Sequence, residues 1–509
     1  MTQQCTKLRP PQPPRKWEDV LDASLPLWDE KSIKRCTQYL NWSDRVGKKL
    51  VGSEDCLYLD IIRPGDIELV NQYRQHAAFH DSKEADVVVI LNTGTFMYDI
   101  PLSRQRVAHN LCCTYTIFVF VRYRLGPFGF MTTNDAIMPA NLGMLDQIAA
   151  LKWVQRTIVH FHGEPNKVTL AGAGAAAASV HLHMLSPLSE GLFKKAISVS
   201  GSALNAWAVS ESADQLTKDY ATRLNCSTPP LVSKTEMRDC LLTKPALDIA
   251  DQYDLALIYR NLPISAFAPT VDHHFLQAPP HVLMRGVSQR NIPWLVSFTK
   301  EEGIFPLMDW IDRDPYRRVV DVKWDSVAPY LLDLYASVGE EQHSNLSQII
   351  RKHYLKGDGR QSLINSYQHL NLLRNMISDR LFKTGIVEAA RLHARGSDAK
   401  VYLYEYSYKG EFSMARLLAR DPDDPTQIGV DIPEMLQGTG HMEDFLIYIN
   451  GCTTAKPTLP EDKQMKNALT WLWSSFITDG VPELVVNPEN PEENVKLIDV
   501  LDDIPEEPE

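Results

Sequence analysis

Short runs of apolar residues alternate along this chain with stretches whose apolar residues recur at helical spacing. Leu145, Ala149 and Trp153 fall on one helix face, which predicts a helix over residues 145–157. The pattern of residues 466–477 predicts the last main helix. The predicted strands cover residues 57–62, 86–91, 116–123, 168–170, 196–200, 291–297 and 401–408. Continuous apolar strands that alternate with helices indicate an α/β protein with a mostly parallel sheet covered on both faces.

Residues 168–180 are the stretch that most constrains the interpretation. They consist of an apolar strand, a tight turn with Gly172 and Gly174, and a helix of small residues. This order is typical of the nucleophile elbow of α/β-hydrolases, G-x-S-x-G. Gly174 stands where the serine would be, and Ala176 stands where the closing glycine would be. The turn therefore lacks a nucleophile. Ser179 lies more than one helical turn further on and is interpreted as a packing residue, not as a replacement.

Composition excludes several classes of function. The chain has 509 residues and a formal net charge of -12, so it lacks the basic surface that a nucleic-acid partner requires. No basic cluster favours an anionic membrane, and no apolar run approaches the roughly 20 residues of a membrane span. Residues 1–15 are polar and proline-rich, without the apolar core of a signal peptide.

The eight cysteines show no C-x-x-C spacing, so the sequence predicts no metal site and no cofactor. Two pairs are close enough to close short loops by disulfides, namely Cys36 with Cys56 and Cys226 with Cys240. The pairing of the other four stays open; these are Cys5, Cys112, Cys113 and Cys452. Three N-x-[ST] sequons mark candidate glycosylation sites at Asn41, Asn225 and Asn345. Together these features favour an extracellular or cell-surface protein whose export signal lies outside this sequence.

The chain shows no internal repeat and no low-complexity linker. One large α/β domain over residues 1–490 is the simplest interpretation, with a loose acidic tail over residues 491–509 that contains Pro505 and Pro508.

Several longer motifs resemble the carboxylesterase type B, or cholinesterase-like, family. They are Gly-Ser-Glu-Asp-Cys-Leu-Tyr-Leu-Asp at 52–60, Arg-Tyr-Arg-Leu-Gly-Pro-Phe-Gly-Phe at 122–130, Asn-Leu-Gly-Met-Leu-Asp-Gln at 141–147, and Phe-Lys-Lys-Ala-Ile-Ser-Val-Ser-Gly-Ser at 193–202. The resemblance covers most of the chain, although the family's usual first hairpin is not evident before Pro10. It implies an α/β-hydrolase fold with a large, mostly parallel central sheet flanked by helices.

The resemblance also implies the positions of the catalytic parts. Residues 299–303 resemble the family's acid loop and put Glu302 on the catalytic acid. Residues 440–445 resemble its histidine loop and put His441 on the base. The chain order Gly174, Glu302, His441 matches the family's order of nucleophile, acid and base. An oxyanion-hole remnant is expected where the family has a run of glycines; its residues here are Thr93, Gly94 and Thr95.

These departures lead to a non-catalytic interpretation. Without a nucleophile, the chain is expected to be a pseudo-esterase of the family's adhesion branch, resembling neurotactin or glutactin, with Glu302 and His441 kept as a hydrogen-bonded pair. Its partner would be an extracellular or cell-surface protein. Any contact with a membrane would be made through an anchor outside this chain. Formation of a homodimer is a further option. Two alternatives stay open: a residual or altered carboxylic ester hydrolase, and a secreted carrier of an apolar ligand.

Overall fold

A computed structural model gives the fold of the chain. The structure describes residues 7–14, 34–39, 50–63, 84–92, 94–100, 116–227, 233–252, 264–286, 291–311, 319–335, 337–355, 367–411, 413–418, 436–449, 459–484 and 494–499. Several sequence-based predictions fall outside these residues. They concern Cys5, Asn41, Thr93, Cys112, Cys113 and Cys452.

A mostly parallel sheet of eight strands forms the centre of the described structure. Its strands are β3 (Leu59–Ile62), β4 (Ala85–Leu91), β5 (Thr116–Val121), β6 (Gly163–Ala173), β7 (Lys195–Val199), β8 (Trp294–Thr299), β9 (Val401–Tyr406) and β10 (Val495–Ile498). Their order across the sheet is β10-β9-β8-β7-β6-β4-β5-β3. Only the edge strands β3 and β10 pair antiparallel with their neighbours. A separate two-stranded ribbon joins β1 (Gln38–Tyr39) to β2 (Leu50–Val51).

The composition of the central strands explains their position. Strand β4 reads Ala-Asp-Val-Val-Val-Ile-Leu and is buried along its whole length. It lies parallel to both β5 and β6. A strand that is apolar on both faces needs cover on both, which crossover helices provide. The predicted α/β class and its largely parallel sheet are confirmed.

Helices connect and flank these strands. They are α1 (Gly126–Phe130), α2 (Leu142–Thr157), α3 (Ala175–Leu185), α4 (Ala213–Arg223), α5 (Lys234–Thr243), α6 (Ala246–Ala250), α7 (Pro280–Arg285), α8 (Ile304–Ile311), α9 (Trp324–Leu331), α10 (Glu340–Leu355), α11 (Tyr367–Ser378), α12 (Thr384–Gly396), α13 (Met414–Leu418), α14 (Glu443–Ile449) and α15 (Pro460–Asp479). A short π-helix, Asp379–Lys383, joins α11 to α12. Helix α3 packs on β6 and β7, and α12 packs on β8 and β9.

One segment differs from its predicted structure. Strand β10 lies inside residues 491–509, which were predicted to form a loose tail, and it pairs antiparallel with β9 from Val495↔Tyr406 to Ile498↔Leu403. The side chain of Val495 is buried. This short strand completes an edge of the sheet, and its four residues carry too weak an alternation to be identified from sequence alone.

Both disulfides proposed from spacing are present. Cys36 bonds to Cys56 and Cys226 to Cys240, across sequence separations of 20 and 14 residues. Disulfides persist in oxidising compartments, so these bonds fit an extracellular protein. The candidate glycosylation sites Asn225 and Asn345 are solvent-exposed. Among the described residues, no helix is both long enough and apolar enough to cross a membrane.

Candidate active site

The elbow is a sharp corner between the longest strand and a buried helix. Strand β6 ends at Ala173, helix α3 begins at Ala175, and Gly174 between them has φ 59° and ψ -123°. This region of backbone space favours glycine. The corner is also crowded, because a β-carbon at Gly172 would lie 2.5 Å from the backbone carbonyl of Ala176. Residues 168–180 therefore form a true elbow, and the residue at its tip has no side chain.

The structure brings the two other predicted positions to this corner. Glu302 follows β8, and His441 lies just before α14. His441 Nδ1 is 2.6 Å from Glu302 Oε2, and both side chains are buried. The carboxylate accepts the Nδ1 proton in the neutral tautomer, which leaves Nε2 with its lone pair free to act as a base.

The free nitrogen of His441 faces the elbow. An ideal β-carbon on Gly174 would lie 3.2 Å from His441 Nε2, so the imidazole stands where it would contact a side chain at the corner. Phe305 and Phe382 flank the imidazole, with ring centroids 5.0 and 4.6 Å away. The π-helix between α11 and α12 supplies Phe382. These aromatic rings fix the imidazole plane and keep the base in an apolar surrounding.

The predicted oxyanion residues have an arrangement that the sequence did not reveal. The backbone N–H of Ala175 donates to the carbonyl oxygen of Gly94 at 3.1 Å, which closes the corner from the side of β4. The carbonyl oxygen of Thr95 accepts a hydrogen bond from Ser265 Oγ at 2.7 Å. Thr93 lies outside the described residues. A substrate carbonyl would have to compete with Gly94 for the Ala175 N–H.

Ser200 is a site residue that the sequence analysis missed. It follows β7, has φ 55°, and donates from Oγ to Glu302 Oε1 at 2.7 Å. The backbone N–H of Thr299 donates to the same oxygen at 2.8 Å. The sequence signal that could have identified Ser200 is its position just after a parallel strand, because in such sheets ligands bind beyond the carboxyl ends of the strands. Together with His441, these two donors hold the orientation of the Glu302 carboxylate.

Ser179 does not belong to this constellation. It is fully buried within α3, where Gln147 Nε2 approaches its Oγ at 3.5 Å and Met144 Sδ lies 3.8 Å away. These contacts are with helix α2 and are those of a packing residue.

Two acidic residues after His441 anchor the histidine loop. Asp444 accepts hydrogen bonds from Ser297 Oγ at 2.7 Å and from Tyr404 OH at 2.9 Å. Burial raises the pKa of Asp444 to about 6, although these hydrogen bonds oppose the shift. Glu443 accepts from the backbone N–H of Gly440 at 2.8 Å, and burial raises its pKa well above the ordinary value. Asp444 thus connects the histidine loop to strands β8 and β9.

The structure also contains a small polar cavity of about 30 Å³, whose lining does not include His441. Its lining includes Trp207, Ser210, Glu211, Ser265, Asp333 and Tyr335. Ser265 connects it to Thr95, and the ring of Trp207 lies 6.0 Å from that of Phe382. No group of His, Cys, Asp and Glu suited to a metal ion occurs among the described residues.

An elbow on a parallel sheet, with a glutamate and a histidine at neighbouring loops, defines an α/β-hydrolase. Within that class, the chain belongs to the carboxylesterase family, whose model, described as "Carboxylesterase family", matches residues 5–499.

Named relatives cover nearly the whole chain. It is 32% identical over 497 residues to venom carboxylesterase-6 of Apis mellifera, covering 96% of this chain and 82% of that protein. It is 31% identical over 486 residues to a carboxylic ester hydrolase of Bombus ignitus, covering 94% and 79%. It is 31% identical over 493 residues to esterase FE4 of Myzus persicae, covering 94% and 78%.

These relatives correct the functional prediction. The chain was predicted to be a pseudo-esterase without enzyme activity, and this prediction is contradicted because the relatives are named carboxylesterases and carboxylic ester hydrolases. They also give no support to an adhesion branch resembling neurotactin or glutactin. The prediction rested on Gly174, on Ala176 and on the threonines of the oxyanion-hole stretch, whereas the residues at the acid and base positions are in place around the elbow.

Proposed function

We propose that this protein hydrolyses carboxylic esters, with the His441–Glu302 pair as its general base. The observation that carries this proposal is the 2.6 Å contact between His441 Nδ1 and Glu302 Oε2, with Nε2 directed at the elbow. A buried, oriented imidazole of this kind can take a proton from a nucleophile and return it to a leaving group. The esterase names of the relatives support the same reaction class.

Water serves as the nucleophile, because residue 174 supplies none. His441 Nε2 removes a proton from the water as its oxygen forms a bond to the ester carbonyl carbon. The tetrahedral intermediate then breaks its bond to the alkoxy oxygen, which takes the proton back from His441. The products are one carboxylic acid and one alcohol, and Glu302 stabilises the imidazolium throughout.

Developing negative charge on the carbonyl oxygen requires a hydrogen-bond donor. The N–H of Ala175, at the start of α3, is the donor best placed for this role. The substrate oxygen would replace the Gly94 carbonyl as its acceptor. This exchange costs one backbone hydrogen bond, so we expect slower turnover than in a site with a free donor.

Adhesion and ligand carriage receive less support than hydrolysis. A specific extracellular protein partner, a cell-surface location and a homodimer stay predictions from the sequence. Neither alternative explains why a buried histidine and glutamate are oriented toward the elbow.

The test uses the purified full chain and a set of small aryl esters. We expect measurable hydrolysis that His441→Ala reduces by roughly 100-fold or more, the usual scale of general-base catalysis. Glu302→Gln should cause a loss of similar order, since the amide cannot hold the imidazole tautomer or stabilise its charge. His274→Ala, at an exposed histidine, is the matched control and should leave the rate unchanged. Hydrolysis that is absent, or unaffected by His441→Ala, refutes the proposal.

A further inference from the structure

Met442 occupies space that a side chain at residue 174 would need. An ideal β-carbon on Gly174 would lie 2.9 Å from Met442 Sδ, closer than real β-carbons come to other heavy atoms. The next nearest atom is the carbonyl oxygen of Gly94, at 3.1 Å. The sulfur lies near the end of a flexible side chain, but that side chain is buried, so the packed interior has to accommodate any displacement of it. A side chain at residue 174 therefore requires the Met442 thioether to shift from its present position.

The surrounding structure holds Met442 in that position. Its backbone has φ 62°, a conformation that typically costs a non-glycine residue about 1–3 kcal/mol. The Met442 N–H donates to Ser200 Oγ at 3.1 Å, and the same hydroxyl donates to Glu302 Oε1. The hydrogen bonds that orient the catalytic acid thus also fix the backbone from which the thioether projects. A flexible loop would not maintain such a backbone conformation.

We propose that Met442 determines which nucleophile this site can use. Its thioether opposes a serine side chain at residue 174 and so favours the action of His441 on water. Met442 is a positioning residue, since it transfers no proton and forms no bond to the substrate. The inference rests on the proposed ester hydrolysis only for the role of His441 as the base.

A labelling experiment with an aryl organophosphate tests this role. In Gly174→Ser, the new hydroxyl would attack phosphorus, forming a P–Oγ bond and breaking the bond to the aryl oxygen. His441 would take the serine proton and pass it to the aryl alcohol that leaves. We expect Gly174→Ser to label at least about tenfold more slowly than Gly174→Ser/Met442→Ala, a difference of about 1.4 kcal/mol in activation free energy. Mass spectrometry locates and counts the adduct.

Gly174→Ser/Met442→Leu is the matched control. Leucine conserves the volume of methionine, so this variant should label as slowly as Gly174→Ser alone. Equal labelling rates in all three variants would show that residue 442 does not restrict the elbow, and would overturn the proposal. A purely structural role for Met442 would lower stability without changing the relative labelling rates.

A stability cycle keeps the proposal testable if the serine variants fold poorly. Gly174→Ala adds only a β-carbon, and its backbone strain is the same whether residue 442 is Met or Ala. We expect Gly174→Ala to lower the melting temperature by about 2 °C more in the Met442 background than in Met442→Ala. An equal loss in both backgrounds would contradict the steric exclusion.

The outcomes separate this inference from the proposed function. If the unmodified protein hydrolyses no ester but the Gly174→Ser/Met442→Ala variant labels rapidly, the proposed function fails and the inference stands. If the unmodified protein hydrolyses esters but labelling is independent of residue 442, the inference fails alone.

Discussion

Asp444 is a buried carboxyl group of the histidine loop whose ionisation affects the stability of the protein. It is buried behind His441, within the electrostatic reach of Glu302, and burial is the main cause of its raised pKa. A carboxyl group with a pKa of about 6 in the folded protein, against an ordinary 3.8, binds its proton more tightly when folded than when unfolded. Its stabilising contribution is complete below pH 3.8 and is lost as the pH rises through 6.

Asp444→Asn tests this contribution. The amide keeps one acceptor oxygen for Tyr404 and Ser297 but cannot ionise. We expect the free energy of unfolding of the variant, relative to the unmodified protein, to improve by about 2 kcal/mol between pH 4 and pH 7. Urea unfolding at several pH values measures it, with the exposed Asp239→Asn as control. A relative stability that does not change with pH would rule out the titration of Asp444 in this range.

The elbow shows how two elements constrain each other. Strand β6 and helix α3 approach so closely at Gly172 that any β-carbon there would overlap the Ala176 backbone. The run of alanines that opens α3 follows from the same proximity, because α3 packs on both β6 and β7 and its first residues are fully buried. Small side chains at this interface are a requirement of fold geometry, independent of the chemistry at residue 174.

Gly172→Ala should therefore destabilise the protein. Overpacking of a rigid backbone contact typically costs about 1–3 kcal/mol. Gly286→Ala is a suitable comparison, since its β-carbon would come no closer than 3.3 Å to Leu283 O. We expect chemical denaturation to show a clear loss for Gly172→Ala and a small change for Gly286→Ala. Similar effects for both would indicate that the β6–α3 contact relaxes easily.

At the scale of the whole molecule, the disulfides restrict segments outside the central sheet. Cys226–Cys240 joins the end of α4 to α5, and Cys36–Cys56 joins the small ribbon to the segment before β3. In the loop-entropy model, a bond that closes about 15 residues contributes about 3 kcal/mol by restricting the unfolded chain.

Cys226→Ser/Cys240→Ser should lower the free energy of unfolding by about 3 kcal/mol. The proposed acid–base pair lies at the ends of the sheet strands rather than in this loop, so the proposed ester hydrolysis should persist below the lowered melting temperature. Denaturation of both proteins with and without a thiol reductant provides the comparison. A variant that keeps the original stability would show that this bond does not constrain the unfolded chain.

Apolar patterning located seven of the eight strands of the central sheet, but few of the helices and not every boundary. The strand predicted over residues 168–170 extends over Gly163–Ala173, because pairing with β4 and β7 orders residues that have no apolar pattern of their own. Glu302 and His441 were identified through motif resemblance. No sequence motif marks Ser200 or Met442 as a site residue, because their roles come from contacts across 102 and 242 positions of the chain.

The sequence by itself determined the α/β class and the elbow, because apolar runs and local motifs depend on neighbours along the chain. The positions assigned to the acid and the base came from the resemblance to a family. The sequence also determined that residue 174 has no side chain. Only the tertiary structure decided what surrounds that residue: the sulfur of Met442, the carbonyl of Gly94 and the imidazole of His441. Their distances depend on how β4, β6 and the histidine loop pack together. Long-range packing, not composition, therefore decides which atoms surround residue 174.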